Sequence, residues 1–194
     1  MRLDKEELAS MLKRRLMSSN DFSEALEIAR INSSGKIWLA GGMVSRVLIR
    51  EIYDAGHVEC DYDFLLERLN DELVVPQGWS VERKKFGNPT FRKGSLEVDL
   101  LPLGTHDHIK SNKLDVTIEN FFKGTPYAIQ AMAYDVDRCE LVGDVGIDAL
   151  RKREYAVNNY EQAKRSADSK GISVNDRIKK KAESLGLKPV FIEP

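Results

Sequence analysis

Between Asp4 and Met17, Leu8, Met11, Leu12 and Leu16 recur at helical spacing among good helix formers, which predicts an amphipathic helix. Asn20 and Asp21 read as caps of a second helix running to about Ile31, with Phe22, Ala25, Leu26 and Ala29 turned inward. Asn32-Ser33-Ser34-Gly35 reads as a turn, Lys36 to Ala40 as a short buried strand, and Met43 to Tyr53 as a helix entered through Gly41-Gly42. The period then changes to two. From Asp61 to Glu67, Tyr62, Phe64 and Leu66 fall on one face of a strand and Asp61 and Asp63 on the other. Further strands are expected over Trp79 to Phe86, around Thr90 to Lys93, and over Leu96 to Leu101, with turns at Gly87-Asn88-Pro89 and Lys93-Gly94. Pro102 to Asn112 reads as a polar loop, Tyr127 to Tyr134 as a short helix, Cys139 to Val142 as a strand, and Gly143 to Arg151 as a turn and helix. Two last helices are expected over Asn158 to Ser169 and Val174 to Leu185, separated at Gly171. The pattern implies an α/β (α+β) domain: a mixed central sheet with helices on one side.

Composition narrows this only a little. The 194 residues are 42% hydrophobic and 31% charged, as in an ordinary globular domain with a sizeable core. Net charge is -1, yet the stretch from Arg151 to Lys188 holds 11 Lys and Arg against 5 Asp and Glu. A basic tail beside an acidic body suits a phosphate-bearing partner, or equally a solvated helical face. The two cysteines, Cys60 and Cys139, have no zinc-type spacing and read as reduced residues. The N-terminus lacks a signal-like apolar stretch and no run is long enough to span a bilayer, so a cytoplasmic protein without a membrane partner is expected. Phosphate-loop, nucleophile-elbow and HExxH motifs are absent from the sequence.

The candidate chemistry centres on Asp61 and Asp63. Side chains at i and i+2 of a strand project to one face, and two carboxylates side by side repel unless a cation joins them. Hard oxygen donors suit magnesium, which commonly bridges to substrate phosphates. A third carboxylate, Asp99, lies in the apolar run Leu96-Glu97-Val98-Asp99-Leu100-Leu101. If that strand neighbours the first, three acids converge as two-metal phosphoryl transfer requires, with Glu97 as the competing candidate. Gly41-Gly42, between a strand and a helix N-terminus, would let backbone N–H groups approach a triphosphate. Arg46, one turn into that helix, could reach a phosphate; Arg50 reads equally as surface. His106 and His108 read as solvent-exposed loop residues, and His57 receives no role. Lys84, Lys85, Arg92 and Lys93 around the meander, and Lys179-Lys180-Lys181, read as RNA contacts or as solvated surface.

The run Leu39-Ala40-Gly41-Gly42-Met43-Val44, a helix, and then Asp61-Tyr62-Asp63-Phe64 resembles the GGxV…DxD signature of the poly(A) polymerase and CCA-adding enzyme head domain, within the DNA polymerase beta-like nucleotidyltransferase superfamily. Tyr127 to Asp135 resembles that family's FTINALAYD segment, Leu141 to Arg151 its following strand, turn and helix, and Gln162 to Ala167 the start of its neck. The resemblance implies a catalytic head over residues 1–155 and a neck-like helical appendage over 156–194. It implies Asp61, Asp63 and Asp99 as metal ligands, with two Mg2+ ions (Mn2+ the alternative), and Gly41, Gly42, Arg46, Lys164 and Arg165 as nucleotide contacts. The implied activity is template-independent transfer of NMP from an NTP such as ATP to an acceptor hydroxyl, an RNA 3′ end such as that of tRNA being favoured. Departures accompany it. The family's Arg-Asp after GGxV is Ser45-Arg46 here, its Arg-Asp before FTINA is Thr125-Pro126, and its asparagine is Gln130. They leave two other readings open: an inactive head-like nucleotide- or RNA-binding module, and a toxin- or defence-type transferase acting on protein or a small molecule.

Overall fold

A computed structural model describes residues 4–56, 61–84 and 87–193. His57, Cys60 and Lys85, named above, lie outside that set, as does the end of the strand expected over 79–86. Helix α1 (Lys5–Met17) opens on a capping box: the Asp4 carboxylate accepts from Glu7 N–H at 2.8 Å and Glu7 Oε2 from Asp4 N–H at 2.8 Å. In α2 (Asn20–Ile31) the cap is Ser19, whose Oγ accepts from Phe22 N–H, so Asn20 and Asp21 are the first helical residues and not the caps the sequence suggested. Strand β1 (Ser33–Ala40) starts within the expected turn: Ser33 and Ser34 already pair with Leu69 and Arg68, and a bulge at Gly35 (φ +85°) absorbs the irregularity. Helix α3 (Gly41–Tyr53) follows directly.

Strands β2 (Tyr62–Leu69), β3 (Ser80–Arg83), β4 (Pro89–Lys93) and β5 (Leu96–Pro102) build the middle of the chain, and β6 (Ala133–Asp135) and β7 (Glu140–Val142) complete a mixed seven-stranded sheet of order β3-β4-β5-β2-β1-β6-β7. Within this sheet β2 and β5 run parallel, and the other described pairs are antiparallel. The short helix expected from Tyr127 to Tyr134 is one 3-10 turn, Ala128–Gln130, followed by β6. Trp38 and Leu39 of β1 pair with Asp135 and Tyr134, so tertiary hydrogen bonding overrides the helical propensity of the Ala-Met-Ala run. Helices α4 (Asp107–Ser111) and α5 (Ile118–Lys123) follow β5; the sequence reading had a polar loop at the first and no element at the second. Then come α6 (Asp144–Lys152), β8 (Glu154–Tyr155), α7 (Tyr160–Asp168), α8 (Val174–Leu185) and β9 (Lys188–Pro189), which pairs with β8.

The main core lies between one sheet face and the large helices. It includes Leu8, Phe22, Leu39, Val44, Phe64, Leu100 and Ile178. The opposite face is also partly covered: Trp38, Leu65 and Leu103 pack with Ile109, Ile118 and Phe122 of α4 and α5. Helices therefore stand on both sides, because β1 and β2 carry apolar residues on both faces. Phe64 is fully buried, with ring centroids of Tyr62 and Phe22 at 6.5 and 6.4 Å. Its truncation, Phe64→Ala, leaves a cavity at the centre of the sheet and is expected to cost about 3–5 kcal/mol. A urea unfolding midpoint unchanged from wild type would count against this placement.

Candidate active site

Two junctions define the site. At the first, β1 ends and α3 begins without a side-chain cap: Ala40 is the N-cap residue, and the helix's first N–H groups receive no cap from it. Gly41 has φ +69°, and its Cα lies so close to the Asp63 carboxylate that a Cβ would overlap Oδ2. This follows from register, since Ala40 pairs with Asp63. At the second junction, the parallel pairing of β2 and β5 sets Asp63 directly opposite Asp99. Asp61, exposed, stands one residue before β2, and Glu97 shares the Asp99 face of β5. The facing of Asp63 and Asp99 is thus produced by strand neighbours that are distant in sequence.

The acids crowd one another. Burial, then the charges of Asp99 and Asp61, push the Asp63 carboxyl up to about 7. Asp61 is likewise raised, by burial and then by Glu97 and Asp99. The cations at hand are on the neighbouring hairpin. Lys84 Nζ lies 2.6 Å from Asp99 Oδ2 and 2.9 Å from Glu97 Oε1; Arg92 Nε donates to Glu97 Oε2 at 2.8 Å and its other arm pairs with Glu82. Glu97 consequently sits below the usual carboxylate range, first through Lys84. Buried Thr90 donates its hydroxyl to Asp99 Oδ1. Lys84 and Arg92, read from the sequence as RNA contacts or surface, are turned onto these acids, while Lys93 pairs with Glu24 at 2.6 Å. Thr90 was missed; the signal for it was the Lys93-Gly94 turn, which fixes the β4–β5 register and so places Thr90 opposite Asp99.

The donor set suits a hard divalent cation: all oxygens, with more negative charge around Asp63 than Lys84 neutralises. Among the described residues, no three His, Cys, Asp or Glu side chains are already gathered tightly enough to hold an ion. Asp99 instead engages Thr90 and Lys84, and would have to exchange Lys84 for the metal.

Ser45 is buried, with Oγ donating to the Gly41 carbonyl at 3.1 Å, inside the helix. Arg46 is half-buried on α3, within electrostatic reach of Lys181. Lys164 is exposed on α7, and Arg165 is ion-paired with Asp107 of α4. The charges that act most on Asp61 and Asp63 are those of Lys84, Arg92, Glu97 and Asp99 and, on Asp63, that of Asp61, with neither Lys164 nor Arg165 among them. His106 is half-buried against Phe121, centroids 4.6 Å apart, and held below its usual range by burial and by His108, so it is not the solvent-exposed residue expected.

No protein-family model matches the chain, and no curated protein matches it in sequence. Solved structures do. A CCA-adding enzyme from Bacillus stearothermophilus, in complex with CTP, superposes with TM-score 0.54 at 17% identity over 76% of this chain and 35% of its own. A tRNA-processing enzyme in an apo form gives 0.51 at 16% identity, over 87% of this chain and 48% of its own. The chain thus spans at most about half the length of these neighbours. No helix among the described residues is long and apolar enough to cross a membrane. At such identity the likeness speaks for the fold, and the fold of this chain is the nucleotidyltransferase head type found in CCA-adding enzyme structures.

Proposed function

We propose that this chain is a template-independent nucleotidyltransferase that transfers NMP from an NTP to an acceptor hydroxyl, with an RNA 3′ end such as that of tRNA as acceptor. The carrying observation is the Asp63–Asp99 pair across β2 and β5, with Gly41 against Asp63 and the uncapped start of α3 beside it. The fold likeness supports the reading: one neighbour holds CTP and another is described as tRNA-processing. In this reading residues 1–155 form the catalytic head and 156–194 the helical appendage.

Asp61, Asp63 and Asp99 would hold Mg2+, which supplies charge neutralisation of the triphosphate and lowers the pKa of the acceptor hydroxyl. The chain's own groups do the positioning. The first N–H groups of α3, at Gly41 and Gly42, receive phosphate oxygens, assisted by the helix dipole and by Arg46. Asp99 orients the acceptor hydroxyl and takes its proton. The acceptor oxygen bonds to the α-phosphorus as the α–β bridging bond breaks, and pyrophosphate leaves. Lys84 compensates charge on Asp99 and Glu97 before substrate arrives.

The test is incubation of purified protein with each labelled NTP, Mg2+ and total cellular RNA. Label should enter RNA with stoichiometric pyrophosphate release, and Asp61→Ala should lose both. Transfer unchanged in Asp61→Ala overturns the site assignment. A second reading, an inactive nucleotide- or RNA-binding module, is favoured by Lys84 seated on Asp99 and by Ser45 turned into its helix. It requires NTP binding without pyrophosphate release.

A further inference from the structure

The basic residues of the C-terminal helices are arranged, not scattered. On α8, Val174, Ile178, Ala182 and Leu185 are buried, while Arg177, Lys180 and Lys181 occupy one adjoining stripe at i, i+3 and i+4. Lys170 precedes them in the turn that Gly171 (φ +65°) reverses. The end of α8 abuts the end of α3: a Cβ at Gly56 would lie 3.8 Å from the Leu185 carbonyl oxygen, and one at Gly186 2.8 Å from Ala55 Cβ. Arg46, one turn from Gly42 on α3, is close enough to Lys181 for its charge to act on that ammonium.

The charges in this row are poorly neutralised locally. Among the described residues Lys170, Lys179, Lys180 and Lys181 form no ion pair. The one carboxylate between Lys170 and Lys181, Asp176, accepts the Ser173 hydroxyl at 2.7 Å at the start of α8. Arg177 is half-buried, its Nε without a hydrogen-bond partner among the described residues, and its guanidinium charge acts on Tyr127 and Tyr155. Burial, and then Arg177, Arg46, Lys180 and Lys170, hold the Lys181 ammonium below its usual range, as like charges packed together do. Such clustering raises the energy of the free protein and is relieved by a polyanion.

We propose that the row Lys170, Arg177, Lys180 and Lys181, continued by Arg46 on α3, is a docking track for an RNA phosphodiester backbone that delivers the acceptor end to the Asp63–Asp99 site. The delivery role rests on the transferase reading; the RNA docking itself does not. The track is a row of separate cations along a helix, which matches a chain of singly charged phosphates.

The test is fluorescence anisotropy with a labelled RNA hairpin bearing a single-stranded 3′ end, in EDTA so that no chemistry intervenes. The variant is Lys170→Glu/Lys180→Glu, both exposed positions. Its RNA affinity should fall about tenfold or more at ~0.1 M salt, and the salt slope should shrink by about 1 to 2. Lys13→Glu/Lys110→Glu, the same charge change at exposed positions of α1 and α4, should leave affinity within about twofold of wild type, and both variants should melt as wild type does. Equal losses in the two variants, or no loss in the first, overturn the track, as does an RNA that the wild-type protein does not bind. If no NTP yields pyrophosphate while the affinity loss is confined to Lys170→Glu/Lys180→Glu, the transferase reading fails and the RNA surface stands.

Discussion

Asp63→Asn should abolish transfer while making the folded protein more stable above neutral pH. The first effect follows from position: Asp63 lies between Asp61 and Asp99 and beside Gly41, so it is the acid that any cation bound there must share. Metal-borne stabilisation of a phosphoryl transition state is worth several kcal/mol, so a loss of about 10³-fold or more is expected. The second effect follows from the raised carboxyl. With its pKa raised to about 7 in the folded chain from an ordinary carboxyl value of 3.8, Asp63 holds a proton that the unfolded chain has released, and stability falls as pH rises from about 4 to about 7. Ionisation of Asp63 in the folded chain therefore costs on the order of 4 kcal/mol, which the amide removes. Wild type and Asp63→Asn should converge near pH 4 and separate by pH 8, read by urea denaturation in EDTA. Adding Mg2+ at pH 8 should raise the wild-type midpoint and leave that of Asp63→Asn nearly unmoved. A wild-type midpoint that is flat between pH 4 and pH 8 would refute the account of the crowded acids.

The parts of this site that a sequence displays are those held by local rules. Alternation from Tyr62 to Leu66 announces β2 and the shared face of Asp61 and Asp63, and Gly41-Gly42 between an apolar run and a helical pattern announces the β1–α3 junction. The facing of Asp63 and Asp99 could be stated only as a condition, because a parallel pairing between strands more than thirty residues apart is set by the packing of the whole sheet. Lys84 was opaque for a similar reason, since its contacts depend on where the whole β3–β4–β5 meander lies, whereas the Lys93-Gly94 turn already sets Thr90 opposite Asp99. The Ala-Met-Ala run before Asp135 misled in the opposite sense, since its local preference is helical and its pairing with β1 is not local. Helix α5 escaped notice because its six residues give too short a period; Thr117 as N-cap and buried Ile118 and Phe122 mark it only once the second apolar cluster is seen. Arg165 read as a phosphate contact because its sequence neighbours resemble a neck, whereas in the folded chain Asp107 of α4 takes its guanidinium.

Gly41→Ala carries the other large effect, and it separates two readings of the diglycine. If Gly41 served only a tight turn, alanine would cost the strain of a left-handed residue, about 1–3 kcal/mol at φ +69°, and no more. The structure adds a second constraint, since the new methyl group would occupy the position of Asp63 Oδ2. The Asp63 side chain would have to rotate away from Asp99 or the start of α3 would have to lift from β2. Either shift displaces a metal-holding oxygen relative to the phosphate-binding N–H groups, and misplacement of about 1 Å at such a site costs roughly 10²-fold in rate. Gly42, inside α3 and without a positive φ, provides the contrast. Gly42→Ala meets no left-handed strain and gains up to about 1 kcal/mol of helix propensity. Gly41→Ala should therefore lose stability and transfer together. Because Gly41→Ala acts through Asp63, combining it with Asp63→Asn should add no further loss of transfer. Independent multiplication of the two losses would mean that Gly41 contributes through its backbone N–H alone, and the close approach to Asp63 would then have no part in catalysis.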